Sequence, residues 1–383
     1  MGVWRRTAGL LLLNMAATAC NRTARARAAQ PSGAGLAAPA QPRRAIVQPP
    51  IGRRGLAQLA TAYGVLALSR PLPAAAAAMG AAVDANRART VTIPLTDCGG
   101  SYCTVYRVDG SPFRAVVDTG SPFLSVAGSC TKRWGCYQGE GEPVGLEDSW
   151  ETYDGREGNV AWRQGSLAFG SLQLAKSVVF GVLSDQLVGR PGGVFLGLVK
   201  YEAAGIRPTF LGQTPFQSFT VDLRDEPQLV LSTAPMVPVD ARWIPMVDLR
   251  PFGSPVEHYA TRISSLRVNG RDIRPNDGKS TFAIFDTGTT GMAISSTLWD
   301  ACLASYEKGQ GAPWSSTVDI DLPAQGGRPI TVSVDRPFPC TPIQQIPWKE
   351  FDGHLVVLGL SFLEKRALTV DVDEKRIWLG YSS

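Results

Sequence analysis

Two short stretches, "VVDTGS" at residues 116–121 and "FDTGTT" at 285–290, hold the residue types that could do chemistry. Each runs from apolar residues into an aspartate and then Thr and Gly: Asp118 with Thr119, Gly120 and Ser121, and Asp286 with Thr287, Gly288 and Thr289. One copy alone is an ordinary turn, because Asp and Gly populate turns generally. Two copies in matched context predict a pair. Two carboxyls held close together cannot both ionise, so one keeps its proton and the other is a base; together they can activate water and protonate an amide leaving group. Glycine leaves room for the backbone in a tight turn and for substrate. The hydroxyls of Thr119, Ser121, Thr287 and Thr289 can hydrogen-bond the turns and the carboxylates and hold the pair at a fixed distance.

Such a pair needs rigid elements beneath it. From Val91 onward the chain reads as strands: "VTIPL", "YCTVYRVDG", "FRAVVD", "GSLAFGSLQL", "SVVFGV", "SFTVDL", "QLVLS", "ATRISSLRVNG", "PITVSVD" and "ALTVDVDEKRIWLG" are short β-branched or aromatic runs punctuated by Gly, Pro and Asp. Helical periodicity is best in "STLWDACLASYEKG" from Ser296, where Leu298, Cys302 and Leu303 or Tyr306 share a face. The expected class is all-β with minor helix. The aspartates lie 168 positions apart, about one domain length, so one motif falls in each of two related halves, residues 90–235 and 236–383.

Length and composition agree with this. The chain has 383 residues, 44% hydrophobic and 19% charged, which suits a globular protein of two domains and excludes a disordered one. Charge is uneven. Residues 1–89 hold twelve Arg, no Lys and a single acid, Asp84, leaving 26 basic and 32 acidic side chains in residues 90–383, a formal −6 against +5 for the whole. The body has no basic patch interleaved with aromatics, so nucleic-acid binding is not supported. Residues 1–89 read as a multipart targeting presequence: Arg5 and Arg6 precede the apolar Leu10–Leu13, an acid-free stretch follows, and Arg53-Arg54 precedes a short apolar run closed by Ala76-Ala77-Ala78. That run is shorter than the ~20 residues a bilayer span requires, so it predicts a signal and no stable membrane anchor after processing. The pattern resembles presequences that deliver proteins to the plastid thylakoid lumen; a secretory signal leading outside the cell is the alternative. A lipoprotein-type site at Cys20 is a weaker one, since the position three before it is Ala17.

Cys20 aside, six cysteines remain, and proximity suggests Cys98 with Cys103, Cys130 with Cys136, and Cys302 with Cys340, although other connectivities are open. Disulfides imply an oxidising space. A metal site would want histidines nearby, and the only two, His258 and His354, are far from any Cys pair in sequence. They are read as surface or strand residues. Trp134, Trp162, Trp243 and Trp378 are read as packing residues, and Asp97, Asp222 and Asp371, which lack the Thr-Gly continuation, as solvated or turn acids.

With these residues in hand, residues 90–383 resemble the pepsin-like aspartic proteases along nearly their whole length. "VVDTGS" and "AIFDTGTT" resemble that family's two catalytic loops, which maps its dyad onto Asp118 and Asp286. "GGVFLGL" at 192–198 and "LVVLGLSFL" at 355–363 resemble the segments passing behind each loop, and "RWIPM" with "HYATRISSLRVNG" resembles the opening of its second lobe. "ETYDGREG" resembles the substrate-covering flap, which places Tyr153 at the flap-tyrosine position, followed by Asp154 and Gly155. The pairs Cys130–Cys136 and Cys302–Cys340 sit where the family often has disulfides. The resemblance implies a bilobal fold with a cleft between lobes and an endopeptidase acting on polypeptides. It implies no metal, no organic cofactor and a monomer.

The chain departs from the family at Ser125, where animal pepsins usually carry a flap-supporting Trp, and at Arg156 and Glu157, which make the flap unusually charged. Only Met79 to Arg89 separates the expected cleavage site from the first strand, too little for the family's usual cleft-plugging propeptide. Two other classes stay open. "DTGTT" also matches a loop of sugar-kinase-like phosphotransferases, though their alternating helices are not predicted here, and a pepsin-like fold can serve as a non-catalytic binding protein or inhibitor.

Overall fold

The strand Thr281–Phe285, "TFAIF", is buried at all five positions, as a continuous apolar run predicts for a strand covered on both faces. Burying Phe282 and Phe285 contributes about 2–3 kcal/mol each. His354–Leu358, also buried throughout, runs parallel to it with Phe285 opposite Leu358. Met292–Ile294 and Ala260–Arg262 complete this four-stranded sheet. The computed structural model describes residues 89–153, 156–188, 193–202, 207–254, 256–306, 317–334 and 351–381. The presequence expected over 1–89 lies outside them except for Arg89.

Asp118 is positioned by a hairpin whose turn is legible in sequence. Tyr102–Val108 pairs antiparallel with Ser111–Asp118, Val108 opposite Ser111, so only Asp109 and Gly110 form the loop. Both have positive φ, 48° and 78°, as a two-residue loop of the Asp-Gly type requires. This pins the register of the strand that ends at Asp118. On its other side Phe195–Gly197 runs parallel, with Gly197 opposite Asp118. The nine-stranded sheet continues through Arg156–Phe169 and Leu172–Leu183 to Ser125–Ala127, with Thr96–Asp97, Glu142–Pro143 and Ser149–Tyr153 paired alongside.

"GSLAFGSLQL" is not one strand: Phe169 faces Leu172 across a turn at Gly170, where φ is 57°. "ATRISSLRVNG" is divided too. Ala260–Arg262 joins the sheet of Asp286, whereas Ser265–Val268 belongs to a second four-stranded sheet with Arg271–Asp272, Val318–Leu322 and Ile330–Val334. A six-stranded antiparallel sheet takes Thr90–Pro94, Gln228–Ser232 and Ser218–Asp222 from before residue 235 and Arg366–Asp371, Arg376–Tyr381 and Ile244–Pro245 from after it. The protein is thus all-β, and its longest described helix is Ser296–Tyr306, with Leu298 and Cys302 buried. No helix among the described residues is long and apolar enough to cross a membrane.

The disulfides Cys98–Cys103 and Cys130–Cys136 are formed. Cys340 lies outside the described residues, and with it the expected third pair. Trp134 and Trp162 are core residues, while Trp243 and Trp378 are half-buried. Asp97 is an exposed turn acid accepting the Gly99 N–H at 2.7 Å, and Asp222 pairs with Arg224 at 2.6 Å. Asp371 is neither solvated nor a turn acid. It is 1% exposed, in a strand inside the six-stranded sheet, and its carboxylate is bonded to Arg376 and to the N–H groups of Met236 and Val237.

Both histidines are buried, so neither is a surface residue. His354 begins its strand and is hydrogen-bonded between Thr297 (2.8 Å) and Asp277 (2.9 Å). Burial pushes His258 down to about 4 from an ordinary value of 6.5. Its stability contribution has a definite sign. Above the unfolded value both states are neutral; between pH 6.5 and about 4 the unfolded chain binds a proton that the folded one refuses, so stability falls with pH until the folded value is reached. The loss amounts to about 3 kcal/mol. His258→Phe is expected to remove most of this acid dependence, measured as the difference in unfolding free energy between neutral pH and pH 4; an unchanged difference would clear His258 of the effect.

Candidate functional site

The two Asp-Thr-Gly turns meet. Asp118, Thr119 and Ser121 are at most 1% exposed, as are Asp286, Thr287 and Thr289. Their contact is reciprocal. The Thr119 N–H donates to the Thr287 hydroxyl at 3.1 Å and the Thr287 N–H to the Thr119 hydroxyl at 3.0 Å. Each hydroxyl then donates to the strand beneath the other turn, Thr119 to the Phe285 carbonyl at 2.8 Å and Thr287 to the Val117 carbonyl at 2.7 Å. Four hydrogen bonds thus lock the turns in one relative position.

The carboxyls are held in matching ways. Asp118 accepts the Gly120 N–H (2.8 Å) and the Ser121 hydroxyl (2.5 Å); Asp286 accepts the Gly288 N–H (2.8 Å) and the Thr289 hydroxyl (2.8 Å). The glycines explain how close the turns come. A Cβ on Gly120 would stand 2.7 Å from the Asp286 carboxyl carbon, and one on Gly288 would stand 2.6 Å from that of Asp118. Any side chain there would push the turns apart. Behind the turns, Gly197 and Gly359 play a second matched role: their N–H groups bond the carbonyls of Phe123 and Gly291, each five residues after its aspartate. A Cβ would meet backbone at 2.5 Å in the first case and 2.2 Å in the second.

Burial, the neighbouring Asp118 charge and a hydrogen bond to Asp118 hold the Asp286 carboxyl well above the usual carboxylate range, with Thr289 and Gly288 pulling it back. The pair can therefore share one proton between two oxygens, an arrangement able to activate a water on one side and donate a proton on the other.

The stretch expected to cover the site takes part in a hairpin: Ser149–Tyr153 pairs with the start of Arg156–Phe169, Tyr153 opposite Arg156. The Tyr153 side chain, Asp154 and Gly155 lie outside what is described. Three contributors are not visible as motifs. The Tyr259 hydroxyl donates to the Leu198 carbonyl and accepts the Lys200 N–H, tying the segment behind Asp118 to the start of Ala260–Arg262, the strand that pairs beside the one ending at Phe285. The Thr290 hydroxyl donates to the Gly100 carbonyl at 2.6 Å, which docks the Cys98–Cys103 loop on the second turn. Trp162 packs edge-on against Phe123, centroids 4.9 Å apart. The last Thr of "DTGTT" was a faint signal for Thr290, Tyr259 lay within "HYATRISSLRVNG", and Trp162 was read as a packing residue, as its burial bears out, but no local signal named their partners. Among the described residues no group of three or more His, Cys, Asp or Glu could hold a metal ion. The chain matches no known protein-family model, and no curated protein matches its sequence.

Proposed function

We propose that the protein is an aspartic endopeptidase that hydrolyses peptide bonds with water activated between Asp118 and Asp286. The observation that carries this reading is the buried, reciprocally locked pair of carboxyls, each with one N–H and one hydroxyl donor. A substrate peptide lies extended between halves 90–235 and 236–383 under the hairpin bearing Tyr153. The ionised carboxyl takes a proton from water as it attacks the scissile carbonyl; the protonated one stabilises the developing oxyanion, and the tetrahedral species collapses with proton transfer to the amine. No covalent enzyme intermediate forms. The substrate is a polypeptide, and the chain acts as a monomer, in the plastid thylakoid lumen by the reading of its presequence.

The test is hydrolysis of a denatured protein at acid pH, with inhibition by a statine-type compound whose hydroxyl replaces the attacking water. Cleavage blocked by that compound supports the reading. Tight binding of the compound without cleavage makes the chain a binding protein instead, and activity that only a chelator abolishes assigns other chemistry.

The rate should follow a bell with its maximum on the acid side, since a pair sharing one proton works only between its two macroscopic pKa values. Thr289 donates to the Asp286 carboxylate and so favours its ionised form. Thr289→Ala is expected to move the alkaline limb of the profile towards neutral pH; a limb that stays put or moves the other way counts against Asp286 as the group that titrates there.

A further inference from the structure

Seven positions after Asp118 the chain has Ser125, and its hydroxyl is spent on the neighbouring strand, accepting the Phe195 N–H at 2.9 Å and donating to the Phe195 carbonyl at 3.1 Å. It holds nothing above the site. The hairpin that begins at Ser149 is instead gripped from its other strand. Trp162, 1% exposed, lies two residues past Val160, which faces Ser149 across the hairpin. Its indole N–H donates to the Ser149 hydroxyl at 3.0 Å, and its ring packs edge-on against Phe123, five residues after Asp118. The Arg207 guanidinium stands 5.3 Å from the centre of the same ring.

Arg207 also donates to the Glu147 carbonyl at 2.9 Å, just before the hairpin. Trp162 thus links Ser149 through a hydrogen bond and Arg207 through a cation–π contact. Ser149 lies on the hairpin's first strand, Trp162 on its second and Arg207 on a separate loop, and Phe123 seats this cluster on the segment after Asp118. Glu151, 3% exposed, lies on the same first strand; burial raises its carboxyl above the usual range, with Ser149 and the Arg207 charge pulling it back.

We propose that Trp162 is the positioning residue of the covering hairpin, acting through Ser149, Phe123 and Arg207 to set its height over the aspartate pair. This rests on the protease reading for its effect on catalysis, but not for its effect on the hairpin. Ser149 is half-buried at a strand start, so Ser149→Ala should fold even if Trp162→Phe does not. In the full chain, Ser149→Ala is expected to speed hydrogen exchange of the amides at 149–153 and 156–160 by about tenfold. KM for a peptide substrate should rise about fivefold while kcat changes less than about twofold. Ser149→Thr, which keeps the hydroxyl, should restore both.

Unchanged exchange in Ser149→Ala and in a folded Trp162→Phe overturns the proposal, whatever the activity. Faster exchange with an unchanged KM in an active enzyme overturns it as well, because the Trp162 cluster would then be only structural. A wild type that cleaves nothing, combined with faster exchange in the variant, leaves the Trp162 cluster standing as the holder of the hairpin and removes the protease reading alone.

Discussion

Replacing Asp118 or Asp286 by Asn is expected to leave less than about a hundredth of wild-type peptide hydrolysis, in a protein that is more stable at neutral pH than the parent. Asn is nearly isosteric and can still accept the Gly120 or Gly288 N–H, so the turns should stay locked by their Thr119 and Thr287 bonds. What disappears is the shared proton. The stability gain follows from the raised Asp286 carboxyl. A carboxyl whose folded value lies above its unfolded one favours folding most below the unfolded value, and the advantage is lost as pH rises through the folded value, because the folded state must keep a proton that the unfolded chain releases. Asn has nothing to ionise and escapes this loss. Steady-state kinetics with one peptide and thermal melts at two pH values check both halves. Substantial turnover in either well-folded variant would mean that the pair is not the catalytic unit, and lower melting temperatures in both at neutral pH would contradict the electrostatic account.

Asp371→Ala is expected to cost about 3–5 kcal/mol of folding stability, more than any surface acid. The wild-type carboxylate is 1% exposed, bonds Arg376 at 2.9 Å and accepts the N–H groups of Met236 at 2.7 Å and Val237 at 3.2 Å. Removing it strands a guanidinium that is itself 24% exposed, together with two backbone donors, where water has little access. The loss falls where the chain passes from its first half to its second, since Asp371 pairs with Ser218 across the six-stranded sheet while holding residues 236 and 237. Asp222→Ala is the control. Its partner, Arg224, is local and a third exposed, so its loss should stay within about 1 kcal/mol. Urea unfolding of both variants decides it; equal losses would mean that Asp371 is no more than another surface pair.

Much of the site was legible because its determinants are local. An apolar run into Asp-Thr-Gly states a strand end, a turn and a carboxyl within a few residues, and "VDGS" at 108–111 states the loop and register that bring Asp118 to that end. The all-β class followed from the same short-range evidence of β-branched runs and turn residues, and proximity in sequence suggested the pairs Cys98–Cys103 and Cys130–Cys136 among the open connectivities.

The tertiary structure decided what depends on distant segments. Asp371 and Asp97 look alike in sequence as acids at strand ends, yet one is buried against residues 236 and 237 and the other is exposed, since burial depends on what packs against a residue. "ATRISSLRVNG" is a single β-rich run by composition, and only competition among possible strand partners splits it between two sheets. Trp162 reaches Ser149, and Arg207 reaches Trp162, across 13 and 45 positions of chain respectively. A side chain's type fixes which contacts it can make, and a tight turn fixes its neighbours within a few residues; which distant partner it meets is set by the packing of whole sheets, whose energy is spread over many apolar residues and written at no single position.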